Sequence, residues 1–199
     1  MNSHYFTVDP TTPSKEKFIN YQINGTSFSL LTDTNVFAKN GIDYGSETLL
    51  KVILPLIDAG KVLDIGCGYG VIGLTLAYLI PDIQVVCSDI NTRASSLCEK
   101  NARALELSKR VTVLQSDLYE KIEGKFDYIV SNPPIRAGKK ILEKIYIEAL
   151  NHLTSKGILY LVVRKKQGAE STITFLKKYY KDVNVLLKNK GYWIIQAKK

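Results

Sequence analysis

The stretch from Lys61 to Gly73 constrains this chain more than any other. Lys61-Val62-Leu63-Asp64-Ile65 reads as a short apolar strand, Gly66-Cys67-Gly68-Tyr69-Gly70 follows it, and Val71 to Leu79 continues as an apolar helix. Glycines at 66, 68, 70 and 73 allow a tight turn and a close backbone approach by a ligand. A strand that enters a helix through such a turn is the opening unit of a parallel α/β sheet.

The rest of the chain repeats the alternation. Strands are expected over Ile83–Ser88, Val111–Leu114, Phe126–Val130 and Gly157–Val163. Helices are expected over Asn91–Leu107, about Lys140 to Leu153, and Ala169–Tyr179. Val183–Leu187 and Tyr192–Ala197 flank the turn at Asn189-Lys190-Gly191, and a connection that short makes the pair antiparallel. Upstream, Asn24-Gly25 between two alternating runs signals a hairpin, and Ser46 is read as the cap of a helix running to about Ile57. The expected fold class is α/β: a Rossmann-like doubly wound sheet, mostly parallel with an antiparallel final strand, plus a small N-terminal β-hairpin. Residues 1–45 form an arm and hairpin extension, and 46–199 the main domain.

Two readings compete for the glycine loop. Gly68 to Gly73 matches the GxGxxG dinucleotide pattern, which brings a pyrophosphate to a helix N-terminus. A carboxylate at Asp64 would oppose that anion, whereas it would favour a nucleoside carrying a sulfonium and an ammonium. Asp89 ends the second strand and is placed to accept from both ribose hydroxyls. Asp117 follows the third strand in Ser116-Asp117-Leu118, where it can meet an adenine amino group. All three stand at the carboxyl edge of the sheet, where such sheets take their ligands.

Asn132-Pro133-Pro134-Ile135 directly follows the fourth strand. The prolines stiffen the turn and remove two donors. The Asn132 side-chain oxygen and the Pro133 carbonyl then form a pair of acceptors suited to an exocyclic amine or amide nitrogen. Pulling the hydrogens of such a nitrogen out of plane restores its lone pair as a methyl group arrives. No histidine base is needed, which agrees with a chain holding only His4 and His152.

Composition excludes other classes. No apolar run reaches the length of a membrane span, the first residues lack a secretory pattern, and three scattered cysteines without a CxxC pair argue against disulfide scaffolds and zinc modules. The expectation is a cytoplasmic protein without metal or membrane. The net charge is +8, and all of the excess lies in residues 164–199, which carry ten basic and two acidic residues. That one-sided charge suits a polyanion.

With these motifs, the chain resembles class I S-adenosylmethionine-dependent methyltransferases. It is most similar to the small-methyltransferase-domain group of ribosomal RNA guanine-2-amino enzymes. The resemblance extends from Val36 through the glycine loop, Ser88 to Asn91, Ser116 to Leu118 and Asn132 to Lys140, and on to Tyr192. It implies a catalytic domain over 46–199, with S-adenosylmethionine as cofactor and S-adenosylhomocysteine as product. Asp64, Gly66, Cys67, Gly68 and Gly70 would hold its methionine part. Asp89, Ile90 and Asn91 would hold the ribose side, and Asp117 and Leu118 the adenine. Phe37 and Gly45 would help close the pocket. Asn132, Pro133, Pro134 and Ile135 would hold the target amine, although Ile135 stands where many amino-methylating relatives have an aromatic residue.

The expected partner is RNA, ribosomal by that resemblance. Arg136, Lys139 and Lys140 follow the acceptor turn and can neutralise phosphates beside a base drawn into the pocket, with Lys165, Lys166 and Lys190 in the basic C-terminal part. Three alternatives remain open on the residues alone. They are methylation of a protein glutamine or an adenine amine, a non-catalytic RNA-binding module on the same fold, and a dinucleotide oxidoreductase.

Overall fold

The computed structural model describes residues 13–34, 36 and 41–199. Two strands, β1 (Lys17–Ile23) and β2 (Thr26–Thr32), form the expected hairpin around Asn24 and Gly25, both with positive φ as a two-residue turn between twisted strands requires. Then come α1 (Tyr44–Ile53), β3 (Gly60–Ile65), α2 (Val71–Leu79), β4 (Ile83–Asp89), α3 (Thr92–Ala104) and β5 (Val111–Gln115). The second half holds β6 (Phe126–Ser131), α4 (Lys139–His152), β7 (Leu153–Arg164), α5 (Ala169–Leu176), β8 (Asp182–Asn189) and β9 (Tyr192–Lys198).

The main sheet has seven strands in the order β5-β4-β3-β6-β7-β9-β8. Strand β9 inserts between β7 and β8 and runs antiparallel to both, while every other pairing is parallel. Strand order reverses between β3 and β6, so the carboxyl edge opens a crevice there. Helices cover both faces. One core joins the hairpin, α1, α2 and α3 through Leu30, Leu50, Leu74 and Leu97; the other joins α4 and α5 through Tyr146, Ala149 and Leu176. Among the described residues no helix is long and apolar enough to cross a membrane.

The hairpin is bolted to this body. Ile19, Ile23, Phe28 and Leu30 are buried, each burial contributing about 1.5–3 kcal/mol. The buried Asn101 of α3 accepts from the Leu31 backbone N–H at 2.7 Å and donates to the Leu31 and Tyr69 carbonyls, both at 2.9 Å. One side chain thus ties the hairpin edge and the glycine loop to the same helix.

The first helix starts earlier than the sequence suggests. Its cap is Asp43, whose carboxylate accepts from the backbone N–H groups of Gly45 and Ser46. Ser46 lies inside the first turn. Pro55 then ends the helix in a short 3-10 turn.

Candidate active site

A cavity of about 330 Å³ occupies the crevice at the carboxyl ends of β3, β4, β5 and β6. Its first wall is the glycine loop. Gly66 and Cys67 donate their backbone N–H groups to the Ser88 carbonyl at 2.8 and 3.0 Å. The Gly68 N–H meets Asp89 Oδ2 at 2.8 Å, and the Asn91 N–H meets Asp89 Oδ1 at 2.9 Å. Each carboxylate oxygen of Asp89 keeps acceptor capacity for a ligand hydroxyl. Burial raises the Asp89 pKa above the usual carboxylate value, against backbone hydrogen bonds from Asn91, Gly68 and Ile90 that lower it.

Asp64 is not on the wall. Strand alternation turns it, like Val62, towards the face covered by α2, and sends Leu63 and Ile65 the other way. Fully buried, it accepts the Gly73 N–H through Oδ2 at 2.8 Å, while Oδ1 has no partner among the described residues. Burial, then the neighbouring Cys87, push its carboxyl well above the usual range, with the Gly73 hydrogen bond opposing. The expectation that Asp64 faces the ligand is therefore corrected. It braces the loop from beneath, and the cavity's acidic character comes from Asp43, Asp89 and Asp117 instead.

Several other expected site residues also stand behind the wall. Gly70, with φ 99°, begins α2 where a Cβ would strike Leu74 and Cys98. Asn91 caps α3, its side chain accepting from the Arg93 and Ala94 N–H groups. Gly45 packs so closely under Tyr192 that a Cβ would lie 2.9 Å from the ring. Ile135 opens a 3-10 turn and packs on the second core. Phe37 lies outside the described residues. Gly66, Cys67, Gly68, Asp89, Ile90, Asp117, Leu118, Asn132, Pro133 and Pro134 do line the cavity. Leu118 has a left-handed φ of 49°, an uncommon conformation for a leucine, and its carbonyl accepts from Ser116 Oγ at 3.2 Å.

The cysteines are scattered in sequence but converge in space. Cys67 in the loop, Cys87 on β4 and Cys98 on α3 are buried with their sulfurs within 4.8 Å of one another. Hydrogen bonding to the other two thiols holds Cys98 down at about 6, while Cys67 is pushed up.

The opposite wall is the Asn-Pro-Pro turn. Ser131 Oγ donates to the Ile65 carbonyl at 2.7 Å and pins the end of β6 to β3. The Asn132 amide nitrogen then donates to Asp43 Oδ1 at 3.1 Å and to Ser46 Oγ at 3.0 Å. Both amide hydrogens are engaged, which leaves Oδ1 as the group Asn132 can offer a ligand. Sequence reasoning missed Asp43 and Ser46 as site residues, although both line the cavity. The available signal was an Asp two residues before a glycine at a helix start, and it speaks only of capping.

Outside the mouth, Arg136, Lys139 and Lys140 are exposed on the 3-10 turn and the start of α4. Lys139 lies 3.6 Å from Glu143. Lys165 and Lys166 are exposed after β7, where Lys165 approaches Glu170 at 3.8 Å. Lys190, in the β8–β9 turn, places its Nζ 5.0 Å from the Tyr44 ring centroid. The Arg164 guanidinium stacks over Tyr192 at 4.6 Å, and Tyr192 tilts against Tyr44 at 5.5 Å. The cap and first turn of α1 thus touch Asn132 on one side and the basic C-terminal strands on the other.

Comparison with known proteins places the chain in a family. An uncharacterized protein of Bacillus subtilis, YbxB, is 38% identical over the full length of both chains. The ribosomal RNA small subunit methyltransferase C of Shewanella loihica is 35% identical over 82% of this chain and 47% of its own. The Haemophilus influenzae enzyme of that name is 33% identical over 88% of this chain and 52% of its own. The chain therefore spans about half the length of the methyltransferases it matches. Among solved structures, the 16S rRNA N2 G1207 methyltransferase of T. thermophilus, in complex with AdoMet and guanosine, superposes with a TM-score of 0.84 at 24% identity. It covers 96% of this chain and 52% of the neighbour. The methyltransferase small domain matches residues 27–196, and the chain belongs to that family.

Proposed function

We propose that this protein transfers a methyl group from S-adenosylmethionine to an exocyclic amino group of a nucleobase, the 2-amino group of a guanine in ribosomal RNA. The observation that carries the reading is Asn132, held by two acceptors so that its carbonyl oxygen is left for a substrate amine beside the cavity. The cavity also fits the cofactor. Among the described residues it is lined by three carboxylates and by no lysine or arginine, which suits a cationic nucleoside and disfavours a pyrophosphate.

S-adenosylmethionine supplies an electrophilic methyl group on a positively charged sulfur. The remaining work falls to this chain. Asp89 would accept the ribose hydroxyls, Asp117 and Leu118 would bound the adenine, and Gly66 to Gly68 would let the backbone approach. Asn132 Oδ1 and the Pro133 carbonyl accept the two amine hydrogens and raise lone-pair density on the nitrogen. Fixing that nitrogen in one orientation would add the benefit of proximity. Arg136, Lys139, Lys140, Lys165, Lys166 and Lys190 hold flanking phosphates without reading sequence. The relatives' printed names support the ribosomal substrate.

Mass mapping of modified nucleosides in ribosomal RNA, from cells with and without this protein, tests the reading. Loss of one N2-methylguanosine is expected. An unchanged nucleoside map would overturn the substrate assignment.

A further inference from the structure

We propose that Asp43 is a positioning residue for methyl transfer, its carboxylate charging and orienting the Asn132 amide across 89 residues of sequence. The inference rests on the proposed role of Asn132 and deepens it.

Three hydrogen bonds converge on Asp43 Oδ1. Two come from the first turn of α1, Gly45 N–H at 3.0 Å and Ser46 N–H at 3.2 Å, and the third comes from Asn132 Nδ2 at 3.1 Å. The backbone bonds fix the carboxylate at the helix N-terminus, where the aligned peptide dipoles also favour a negative charge. Its aim at Asn132 is therefore set by helix geometry and not by a free rotor.

The second amide hydrogen goes to Ser46 Oγ at 3.0 Å. Serine at the third helical position lies one turn in from the cap, so one N-terminal turn supplies both partners of the amide. An Asn can present oxygen or nitrogen to a cavity by a half-turn about its last bond. Here the reversed orientation would put Oδ1 against a carboxylate, so the carbonyl is the end offered to a substrate amine.

Charge adds a second effect. A carboxylate at the NH₂ end pulls positive charge towards that end and leaves the carbonyl oxygen more negative. Hydrogen bonds to an ionised partner are roughly twice as strong as neutral ones, and linked bonds polarise one another. An oxygen enriched in this way accepts more strongly from an amine that turns cationic as it is methylated. That gain exists in the transition state more than in the bound ground state, so it belongs in kcat and not in KM.

Asp43→Asn separates charge from architecture. Asparagine caps a helix about as well as aspartate, so the first turn of α1 survives and only the charge is lost. Turnover at saturating S-adenosylmethionine, on ribosomal RNA from cells lacking the protein, is expected to fall about tenfold. Ser46→Ala is expected to cost about threefold. In an Asn132→Ala background, Asp43→Asn should change turnover by less than about twofold, because its route is gone. An equal loss in both backgrounds, or no loss in either, would overturn the proposal.

A readout free of activity accompanies these rates. In a ¹⁵N-labelled full chain without ligand, the Asn132 side-chain NH₂ signals should shift in Asp43→Asn while backbone signals of α1 beyond its first turn stay in place. Unmoved NH₂ signals overturn the link. If the parent protein moves no methyl group to that RNA, the substrate reading fails, and the NMR arm still decides the role of Asp43.

Discussion

The two loops that face each other across the cavity are held by opposite means. The glycine loop is anchored through its own backbone: N–H groups of Gly66, Cys67, Gly68 and Gly73 go to Ser88, Asp89 and Asp64, and the Tyr69 carbonyl goes to Asn101. The Asn-Pro-Pro loop has no N–H at Pro133 or Pro134. It is held by the Asn132 side chain and by the Pro134 carbonyl, which accepts from the Ala137 N–H at 2.8 Å. A loop tied through its backbone makes a stiff floor for a small ligand that arrives repeatedly. A loop stripped of donors presents acceptors, and those suit an incoming amine. Acid lines the cavity and exposed base lies beside the second loop, an arrangement that would suit a cationic nucleoside within and a polyanion outside.

The comparison breaks most visibly at Asn132. Asn132→Ala should lower single-turnover methyl transfer by about 10²–10³-fold, the size seen when one electrostatic stabiliser is removed, with cofactor affinity by calorimetry within about threefold. A rate within tenfold of the parent would remove the acceptor role. On the other loop, Asp89→Ala deletes an acceptor for both the Gly68 N–H and a ligand hydroxyl. Cofactor affinity should fall by about 10–100-fold, the scale of hydrogen bonds to a charged group, with a far smaller change in kcat at saturation. Equal effects on both constants in both variants would show that the loops do not divide the work.

Replacing Arg136, Lys139 and Lys140 together by Gln should weaken RNA binding by about tenfold. It should also reduce the log–log salt slope by about 2, as expected when three cations leave single-stranded phosphates. An unchanged slope returns them to ordinary solvated positions.

The smallest effect concerns pH. Asp64 titrates well above its unfolded value, so in the window between the two the native chain binds a proton that the unfolded chain has released. Stability therefore falls as pH rises through that window, by at most about 1.4 kcal/mol per pH unit from this group. Asp64→Asn keeps an acceptor for the Gly73 N–H and cannot ionise. Its urea midpoint should vary less between pH 5 and 8 than the parent's, and parallel curves would exclude Asp64 as the source.

What could be read from residues alone followed the range of the interaction. Glycine spacing, strand ends and the double proline are local, and the order of strands and helices, the cavity edge and most of its wall follow from them. That Asp89 lines the cavity was legible because it ends a strand at the edge where the glycine loop opens. Asp64 has the same local signature, and only the alternation of side chains along β3 decides that it turns away. The Asp43–Asn132 link spans 89 residues and has no periodicity to betray it. Likewise, Cys67, Cys87 and Cys98 come from a loop, a strand and a helix, and only the packing of α3 on β4 joins them.

Four consecutive residues before and at the start of α1 face two ways. Asp43 and Ser46 grip Asn132, while Tyr44 meets Lys190 and Tyr192, and Gly45 yields its volume to the Tyr192 ring. On the proposed reading, the residues that would hold RNA and those that would point the acceptor are thus one piece of chain. On that reading, a charge altered in the β8–β9 turn is expected to change turnover as well as RNA binding.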